Sequence, residues 1–401
     1  MARVVAAAPG VTAMLSLSAR LATVALALAS TTSAPSAQNE DPVYDGKKAS
    51  AWSDILRNDK SARQRTLAVT ALAGAWGQFK HHSSVVDIGR SLRTDSSPAV
   101  RARCAAAVAA LNAEGAKAVE IDVVNALKDE KEARVRLEIV VALGRHPDVA
   151  KKAVGPLADV LKDADPVART AAADALAKVG PPAAAAAPAL VPLLDDMNKA
   201  ARQSAIFALG RISPENPSFV AAALVKRFSE EKEADLRREL LVSLKLLGDK
   251  SESVVTALAA ALADPDDETR AVAARTLGTF GPVAKPAAAA LWKLATESTD
   301  KGFRIDAVRA FGSALGTDLK GRLKDVIRMM ESDPEFEVRI ALVEEIGALG
   351  NDIKDDKEAM GALRKRLSDP QGKVREAAAA AIRRIEKKPE KGPDATPEKK
   401  P

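Results

Sequence analysis

Apolar and polar positions along this chain repeat every 33 to 36 residues. Each repeat holds two stretches with the spacing of an amphipathic helix, separated by a short polar turn. In the second stretch an arginine stands seven residues before a leucine, isoleucine, valine or phenylalanine. These anchor arginines are Arg65, Arg101, Arg136, Arg169, Arg202, Arg237, Arg270, Arg304, Arg339 and Arg375. A fixed period of this length predicts stacked helical hairpins, each contacting only its neighbours.

Each anchor arginine lies on the apolar side of its helix. The positions one before and three, four and seven after it are mostly apolar and, at about 100° per residue, share its face. A carboxylate stands six residues before the anchor in nine repeats: Asp59, Asp95, Glu130, Asp163, Asp196, Glu231, Asp264, Asp333 and Asp369. An unpaired charge between packed helices is costly, so we expect each arginine to pair with a turn carboxylate of its own or a neighbouring repeat. We also expect these carboxylates to cap the second helices.

The turn sequences suggest a family. Asp333-Pro-Glu-Phe-Glu-Val-Arg339 and Asp369-Pro-Gln-Gly-Lys-Val-Arg375 resemble the HEAT-repeat superfamily, in particular its short bacterial variety, the phycobilisome-lyase-type HEAT-like repeats. The resemblance covers about residues 51–387 and implies an all-α, right-handed α-solenoid of about ten helical hairpins. It implies little about function, because such repeats serve many unrelated roles. Where Ser298 replaces the turn carboxylate ahead of Arg304, we expect a gap in the ion pairs.

Four segments are predicted along the chain. Residues 1–34 have the charges, apolar run and small-residue cleavage site of a signal peptide, with Met14 as an alternative start. The apolar run is too short to span a bilayer, so we expect a cleaved, exported protein, periplasmic or secreted, whose mature chain has no membrane span. Residues 35–50 are predicted to be a linker leading into the first repeat, 51–387 the solenoid, and 388–401 a disordered tail.

Individual residues refine this picture at two places. Trp52 is expected to pack over the open end of the first repeat, although Tyr44 and Trp52 could instead stack on a carbohydrate. Pro181, Pro182, Pro188 and Pro192 predict a short or kinked first helix in the fifth repeat.

Charge and reactive residues argue against several functions. The formal net charge is +6, but the excess lies largely in the leader and the tail, so the repeat body is nearly neutral and no nucleic-acid partner is expected. Cys104 is the only cysteine and is expected to be a small buried filler. His81 and His82, interpreted as loop residues, and His146 have no further ligands at metal-site spacing. No catalytic motif occurs, and the acidic pair Glu344-Glu345 is typical of a solvated helix.

We therefore predict a non-enzymatic scaffold, without metal or cofactor, that binds a protein or peptide on the concave face of the solenoid. The alternative is an accessory module of an extracytoplasmic enzyme system, or a divergent HEAT-like enzyme.

The candidate binding residues lie opposite the apolar arc. Positions two, five and nine after the anchor point away from the seam and are predicted to line the concave side. Basic residues occupy the ninth position in three consecutive repeats and the fifth position in two later ones, with one aromatic residue among them: Arg145, Lys178, Arg211, Arg275, Arg309 and Phe207. Such rows suit an acidic segment of a partner. The alternative interpretation is structural, because cations near a helix C-terminus are favoured by its free carbonyls.

Overall fold

The computed structural model describes residues 41–212 and 214–387. The predicted signal peptide (1–34), the linker up to residue 40 and the predicted tail (388–401) lie outside these residues. Within the described part the protein is almost entirely helical, with one antiparallel pair of strands, β1 (Val43–Tyr44) and β2 (Lys47–Lys48).

Ten second helices carry the anchor arginines, and each anchor is the fourth residue of its helix. They are α2 (Ala62–Phe79), α4 (Pro98–Ala110), α7 (Ala133–Arg145), α10 (Pro166–Val179), α12 (Lys199–Arg211), α14 (Ala234–Leu247), α16 (Asp267–Phe280), α18 (Lys301–Leu315), α20 (Phe336–Ala348) and α22 (Gly372–Glu386).

The first helices are less regular and several are interrupted. They are α1 (Ala49–Asn58), α3 (His82–Thr94), α5 (Ala113–Ala118) with α6 (Glu120–Asp129), α8 (Pro147–Ala150) with α9 (Val154–Val160), α11 (Ala187–Leu190), α13 (Pro217–Glu230), α15 (Glu252–Ala261), α17 (Ala288–Glu297), α19 (Leu323–Ser332) and α21 (Lys357–Arg366). Short 3₁₀ turns complete them at Lys151–Ala153, Pro181–Ala186, Val191–Asp195, Gly281–Ala287, Gly316–Arg322 and Gly350–Ile353. The predicted interruption of the fifth first helix is confirmed, since its prolines leave one helical turn between two 3₁₀ segments.

The helices form two layers that each pack in chain order. The second helix α10 contacts α7 and α12, the second helices before and after it, and the first helix α13 contacts α15 in the other layer. The core lies between the layers and is built from the predicted arc. In α10, Ala168, Ala172, Ala173 and Leu176 are all buried. This nearest-neighbour stacking is that of an α-solenoid, as predicted.

The N-terminal end carries a hairpin that the sequence analysis placed in a linker. Asp45 and Gly46 both have positive φ, which is the geometry of a two-residue hairpin turn and is favoured by an Asp-Gly pair. The hairpin presents Tyr44 to α1 and α2: its backbone carbonyl accepts a hydrogen bond from the Trp52 indole at 2.8 Å, and its ring lies against Gly74. Trp52 is buried at this end, which agrees with the expectation that it packs in the first repeat.

Eight anchor arginines pair with the turn carboxylate of the following repeat. In the fourth repeat, Arg169 Nε and Nη2 donate to the two Asp196 oxygens at 2.7 and 2.9 Å, and Nη1 donates to the Asp163 carbonyl of its own turn at 2.8 Å. The other pairs are Arg65–Asp95, Arg101–Glu130, Arg136–Asp163, Arg202–Glu231, Arg237–Asp264, Arg304–Asp333 and Arg339–Asp369. We call this series the arginine ladder.

The turn carboxylates do not cap the second helices, so that prediction was wrong. Asp196 accepts from the N–H of Asn198, two residues on, at 2.8 Å. Asn198 is itself the N-cap and accepts from Ala201 N–H at 3.1 Å. A side chain six residues before the anchor is too far upstream to reach the first helical N–H groups, and therefore it closes the turn instead. Hydrogen bonding to Arg169 holds the pKa of the Asp196 carboxyl below its usual range.

The expected gap in the ladder falls at Arg270. The following turn has Ser298, whose hydroxyl accepts from Asp300 N–H at 3.2 Å, so it keeps the turn bond but offers no carboxylate. Arg270 Nη1 donates to the Asp264 carbonyl at 2.8 Å, and Nη2 pairs with Asp267 of its own helix. Arg169 and Arg270 are therefore not equivalent, because Arg270 has no turn carboxylate as a partner.

Small residues let adjacent second helices approach closely. A Cβ added to Gly347, eight residues after its anchor, would lie 2.7 Å from the Cβ of Ala381, six residues after the next anchor. The same pair of positions brings Gly210 against Ser243 and Gly278 against Ala310. The spacing between second helices is thus set by backbone contact at these positions.

Replacing Arg169 and Arg270 by alanine should separate ladder pairs from other arginine contacts. We expect Arg169→Ala to lower the free energy of unfolding by about 2–3 kcal/mol, because it leaves the buried Asp196 carboxylate unpaired. Arg270→Ala should cost about 1 kcal/mol or less, since its carboxylate partner is exposed. Urea unfolding of both variants measures the difference. Arg364→Ala, at an exposed arginine, is the control, and equal losses at Arg169 and Arg270 would contradict the assignment.

Candidate functional site

The predicted basic row lies exposed at the C-terminal ends of three consecutive second helices. Arg145 ends α7, Lys178 is next to last in α10, and Arg211 ends α12. All three side chains are exposed, and Arg145 and Lys178 have no hydrogen-bond or ion-pair partner among the residues described. Lys178 Nζ leans toward the preceding helix at Gly144, next to Arg145. The three cations therefore form one continuous strip across the second helices.

Arg211 and Phe207 form a single contact surface. The Arg211 guanidinium lies 4.1 Å from the centroid of the Phe207 ring, a cation–π contact that fixes both side chains. Phe207 is 37% exposed. The exposed part of the Phe207 ring can therefore contact a ligand beside the basic row.

Apolar side chains missed by the sequence analysis extend this surface. Val141, Phe207 and Val242 occupy the fifth position after their anchors in repeats three, five and six, and Leu246 stands at the ninth position of repeat six. All four are exposed, and Leu246 is 56% exposed. Their signal in the sequence is an apolar residue at a position predicted to be outward, which was noted for Phe207 alone. We call these residues, with Arg145, Lys178 and Arg211, the second-helix strip.

The two later arginines have partners and do not belong to the strip. Arg275 pairs with Asp306 of the next second helix at 2.8 Å, and Arg309 pairs with Glu344 at 3.3 Å. These are exposed contacts between repeats, and they neutralise the surface of repeats seven to nine. The predicted second position is also less open than expected: Ser204 is buried between adjacent helices.

Glu345 breaks the small-residue pattern in the second-helix layer. Its position, six residues after the anchor, holds alanine, serine or threonine in the other repeats. The Glu345 carboxylate lies against Gly312 of the preceding second helix, at a point where any Cβ would collide with it. Burial, together with the neighbouring Glu344 carboxylate, raises the pKa of Glu345 to about 7. The interpretation of Glu344-Glu345 as a solvated pair is therefore wrong for Glu345.

A cleft opens where the ladder is interrupted. It has a volume of about 380 Å³ and lies between repeats seven and eight, lined by Leu262, Arg270, Leu294, Ser298 and Phe303 among others. Arg270 faces it, with its guanidinium 5.8 Å from the Phe303 ring centroid. The cleft is at the N-terminal ends of the second helices, whereas the second-helix strip is at their C-terminal ends.

The histidines and the cysteine have structural surroundings. His81 is the N-cap of α3 and lies in the short connection after α2, whereas His82 is the first residue of α3, so the loop interpretation is wrong for His82 alone. His81 Nδ1 hydrogen-bonds with Ser84 Oγ at 2.8 Å, and His146 Nε2 with the Val108 carbonyl at 2.9 Å. Cys104 is fully buried, as expected for a filler, and burial raises the pKa of its thiol.

The described residues contain neither a cluster of metal ligands nor a membrane-spanning helix. No group of three or more histidine, cysteine, aspartate or glutamate side chains between residues 41 and 387, Ser213 excepted, is arranged to hold a metal ion. No helix in that part of the chain combines the length and apolar character needed to cross a membrane.

The stacked hairpins define an α-solenoid, and comparison with known proteins places it in a family. The sequence model for HEAT repeats matches residues 122–210, 221–312 and 323–397. These segments make up more than half of the chain, so it belongs to the HEAT-repeat family. No curated protein sequence matches it. The bacterial phycobilisome-lyase-type subdivision stays a prediction.

Solved structures share the architecture at low identity. An engineered protein is 20% identical, with a TM-score of 0.53 over 84% of this chain and 99% of that one. Importin beta is 13% identical, with a TM-score of 0.51 over 84% of this chain and 50% of its own. At such identities the likeness concerns the fold alone.

Replacing Glu345 by glutamine should stabilise the protein in a pH-dependent way. Because the folded pKa lies above the unfolded value, the ionised carboxylate is disfavoured in the fold, and stability is lost as pH rises from the ordinary pKa of 4.5 to about 7. Glutamine does not ionise, so we expect Glu345→Gln to gain about 1–3 kcal/mol at pH 8 and clearly less, about 1 kcal/mol at most, at pH 5. Urea unfolding at both pH values tests this.

The matched control is Glu376→Gln, which neutralises an exposed carboxylate in the next second helix and should show no such pH-dependent gain. Parallel stability profiles of Glu345→Gln and wild type from pH 5 to pH 8 would show that the Glu345 carboxylate is solvated.

Proposed function

We propose that this protein is a non-enzymatic, exported scaffold that binds an acidic, partly apolar segment of a partner protein on the second-helix strip. The observation that carries the proposal is the combination of unpaired cations and exposed apolar side chains on adjacent helices. Arg145 and Lys178 have no partner among the described residues, in contrast to the paired Arg275 and Arg309 on the same layer. A HEAT-repeat solenoid offers such a surface as a continuous face along several repeats.

Close approach of the second helices supports placing the strip on the concave side. Packed helices are typically 8–10 Å apart, and glycine or alanine at the contact gives the short end of that range. In a curved solenoid, the layer whose helices are closer together lies on the concave side. The contacts of Gly347 with Ala381 and of Gly210 with Ser243 place the close packing in the second-helix layer.

The spacing of the strip defines the segment that would fit it. Three adjacent helices spaced about 8–10 Å apart place Arg145 and Arg211 roughly 16–20 Å apart. An extended peptide in the polyproline II conformation has three residues per turn and advances about 3.1 Å per residue, so carboxylates on every third residue share one face and would meet Arg145, Lys178 and Arg211 in turn. Apolar residues between them would contact Val141 and Phe207. The best ligand is therefore an extended peptide of about seven to nine residues that crosses the helices.

Favourable placement at helix ends explains one cation at a time but not the whole strip. A cation in the last turn gains about 0.3–1 kcal/mol from the free carbonyls, whether or not a ligand binds. That effect does not account for exposed Val141, Val242 and Leu246 beside the cations. Exposed apolar residues bordered by charge are typical of protein interaction surfaces.

Charge reversal of the row should abolish peptide binding without unfolding the protein. We expect the triple variant Arg145→Glu, Lys178→Glu, Arg211→Glu to weaken binding at least thirtyfold, because attraction becomes repulsion at three positions. The probe is a capped nine-residue peptide with aspartates at positions one, four and seven and leucines between them. Fluorescence anisotropy measures its affinity, which should also fall as salt rises.

The control for this experiment reverses three exposed cations outside the strip, Arg134, Lys162 and Lys226, and thus makes the same change in net charge. It should bind the peptide within about threefold of wild type, since distant exposed charges are screened. Equal weakening by both triple variants, or salt-independent binding, would return the row to a purely structural role. Binding of an oligonucleotide in place of the peptide would also contradict the proposal.

Export is a separate proposal that rests on residues 1–34 alone. We expect protein isolated from its native cells to be recovered outside the cytoplasm, with an N-terminus shortly after Ala34 or Ala37, because a signal peptidase cleaves after small residues. Cell fractionation followed by N-terminal sequencing measures this. Intact chain in the cytoplasmic fraction would exclude it.

A further inference from the structure

We propose that the cleft between repeats seven and eight binds a carboxylate group of a ligand, which pairs with Arg270 in the way the turn carboxylate pairs with the other ladder arginines. This site is separate from the second-helix strip and does not depend on the function proposed for it.

Arg270 has the position and backbone contacts of a ladder arginine. It is the fourth residue of α16, and Nη1 donates to the Asp264 carbonyl at 2.8 Å, as Arg169 Nη1 does to the Asp163 carbonyl at 2.8 Å. In Arg169 the remaining edge, Nε and Nη2, holds both oxygens of a carboxylate. In Arg270 no described residue accepts from Nε, and Arg270 lines the cleft. The guanidinium is therefore oriented for a bidentate contact that Ser298 does not supply.

The present partner of Arg270 is easily displaced. Asp267 pairs with Nη2 but is the first residue of α16, and its side chain is 67% exposed. Exposed ion pairs contribute little, so a ligand carboxylate that reaches both Nε and Nη2 can replace it. The other acidic groups at the cleft are already engaged: Asp300 accepts from Phe303 N–H at 3.0 Å, and Glu297 lies 3.9 Å from Lys293.

The walls of the cleft favour a ligand with an apolar part beside its carboxylate. Leu262, Leu294 and Phe303 line the cleft together with the charged groups. Its volume, about 380 Å³, falls within the range of small-molecule sites and exceeds what one acidic side chain needs. The fitting chemistry is therefore a carboxylate attached to an apolar group, either in a peptide or in a free organic acid.

A substitution at Ser298 can supply the missing carboxylate from the protein itself. Ser298 occupies the same turn position as Asp333 and Asp369, and its hydroxyl already makes their turn contact with the N–H two residues on. An aspartate there has the reach to complete the ladder. Ser298→Asp should thus compete with any external carboxylate, whereas Asp267→Asn should remove the internal competitor.

The test uses phenylacetate and a capped Leu-Asp-Leu peptide as probes, with phenylacetamide and the capped Leu-Asn-Leu peptide as uncharged controls. Binding is followed through the NMR signal of the Arg270 Nε–H, assigned by its loss in Arg270→Lys. We expect a carboxylate probe to shift this signal. Affinity should fall at least tenfold in Ser298→Asp and rise several-fold in Asp267→Asn. The Ser298→Asp signal should itself move toward those of the paired ladder arginines.

The possible outcomes distinguish a peptide carboxylate from a free organic acid. Binding of the capped peptide identifies a side-chain carboxylate as the ligand, and binding of phenylacetate alone identifies a free organic acid; both support a carboxylate site. Equal shifts with the uncharged controls, unchanged affinity in Ser298→Asp, or no shift with either carboxylate in wild type and Asp267→Asn would overturn it.

Discussion

The bidentate contact between an anchor arginine and the next turn carboxylate is the interaction on which this solenoid depends. The seams between helices are built largely from alanine and leucine, whose uniform side chains specify position along the helix weakly. The ladder specifies the position of each repeat relative to the next. Each arginine binds its own turn through a carbonyl and the next turn through a carboxylate, as Arg169 does with Asp163 and Asp196. Since guanidinium and carboxylate meet in one geometry, the pair fixes the register between repeats.

Much of this fold could be predicted from local spacing. The anchors, the buried arc and the effect of the prolines follow from helix geometry, and all of them are found in the structure. The direction of the ladder could not be derived, because Asp163 and Asp196 stand equally well placed, in sequence, to pair with Arg169. Only stacking decides that the later turn supplies the carboxylate. The β-hairpin at Asp45-Gly46 did carry a signal, the favoured turn pair, but its strands are too short to show alternation.

The candidate surfaces could be predicted less completely than the fold. The exposed row Arg145, Lys178 and Arg211 follows from angular position on the helix. The pairing of Arg275 with Asp306 does not, because it joins two helices whose relative rotation the sequence leaves open. Burial of Glu345 was unexpected for a similar reason: it depends on Gly312 in the preceding repeat, where the missing side chain leaves room for a carboxylate.

In a solenoid, a departure from the repeat pattern changes the stability of the adjacent interfaces and leaves the other repeats unaffected. Each repeat is stabilised by its neighbours alone, so a weaker contact at one interface need not unfold the others. A globular core would distribute such a loss throughout the domain. The interface between repeats seven and eight can therefore retain Ser298 where other repeats have aspartate or glutamate, with Arg270 still held by the Asp264 carbonyl. The arginine remains positioned by the same backbone contact that its counterparts make, and it lines the cleft. In this architecture a single substitution in a structural ladder suffices to turn a buried ion pair into a candidate binding site.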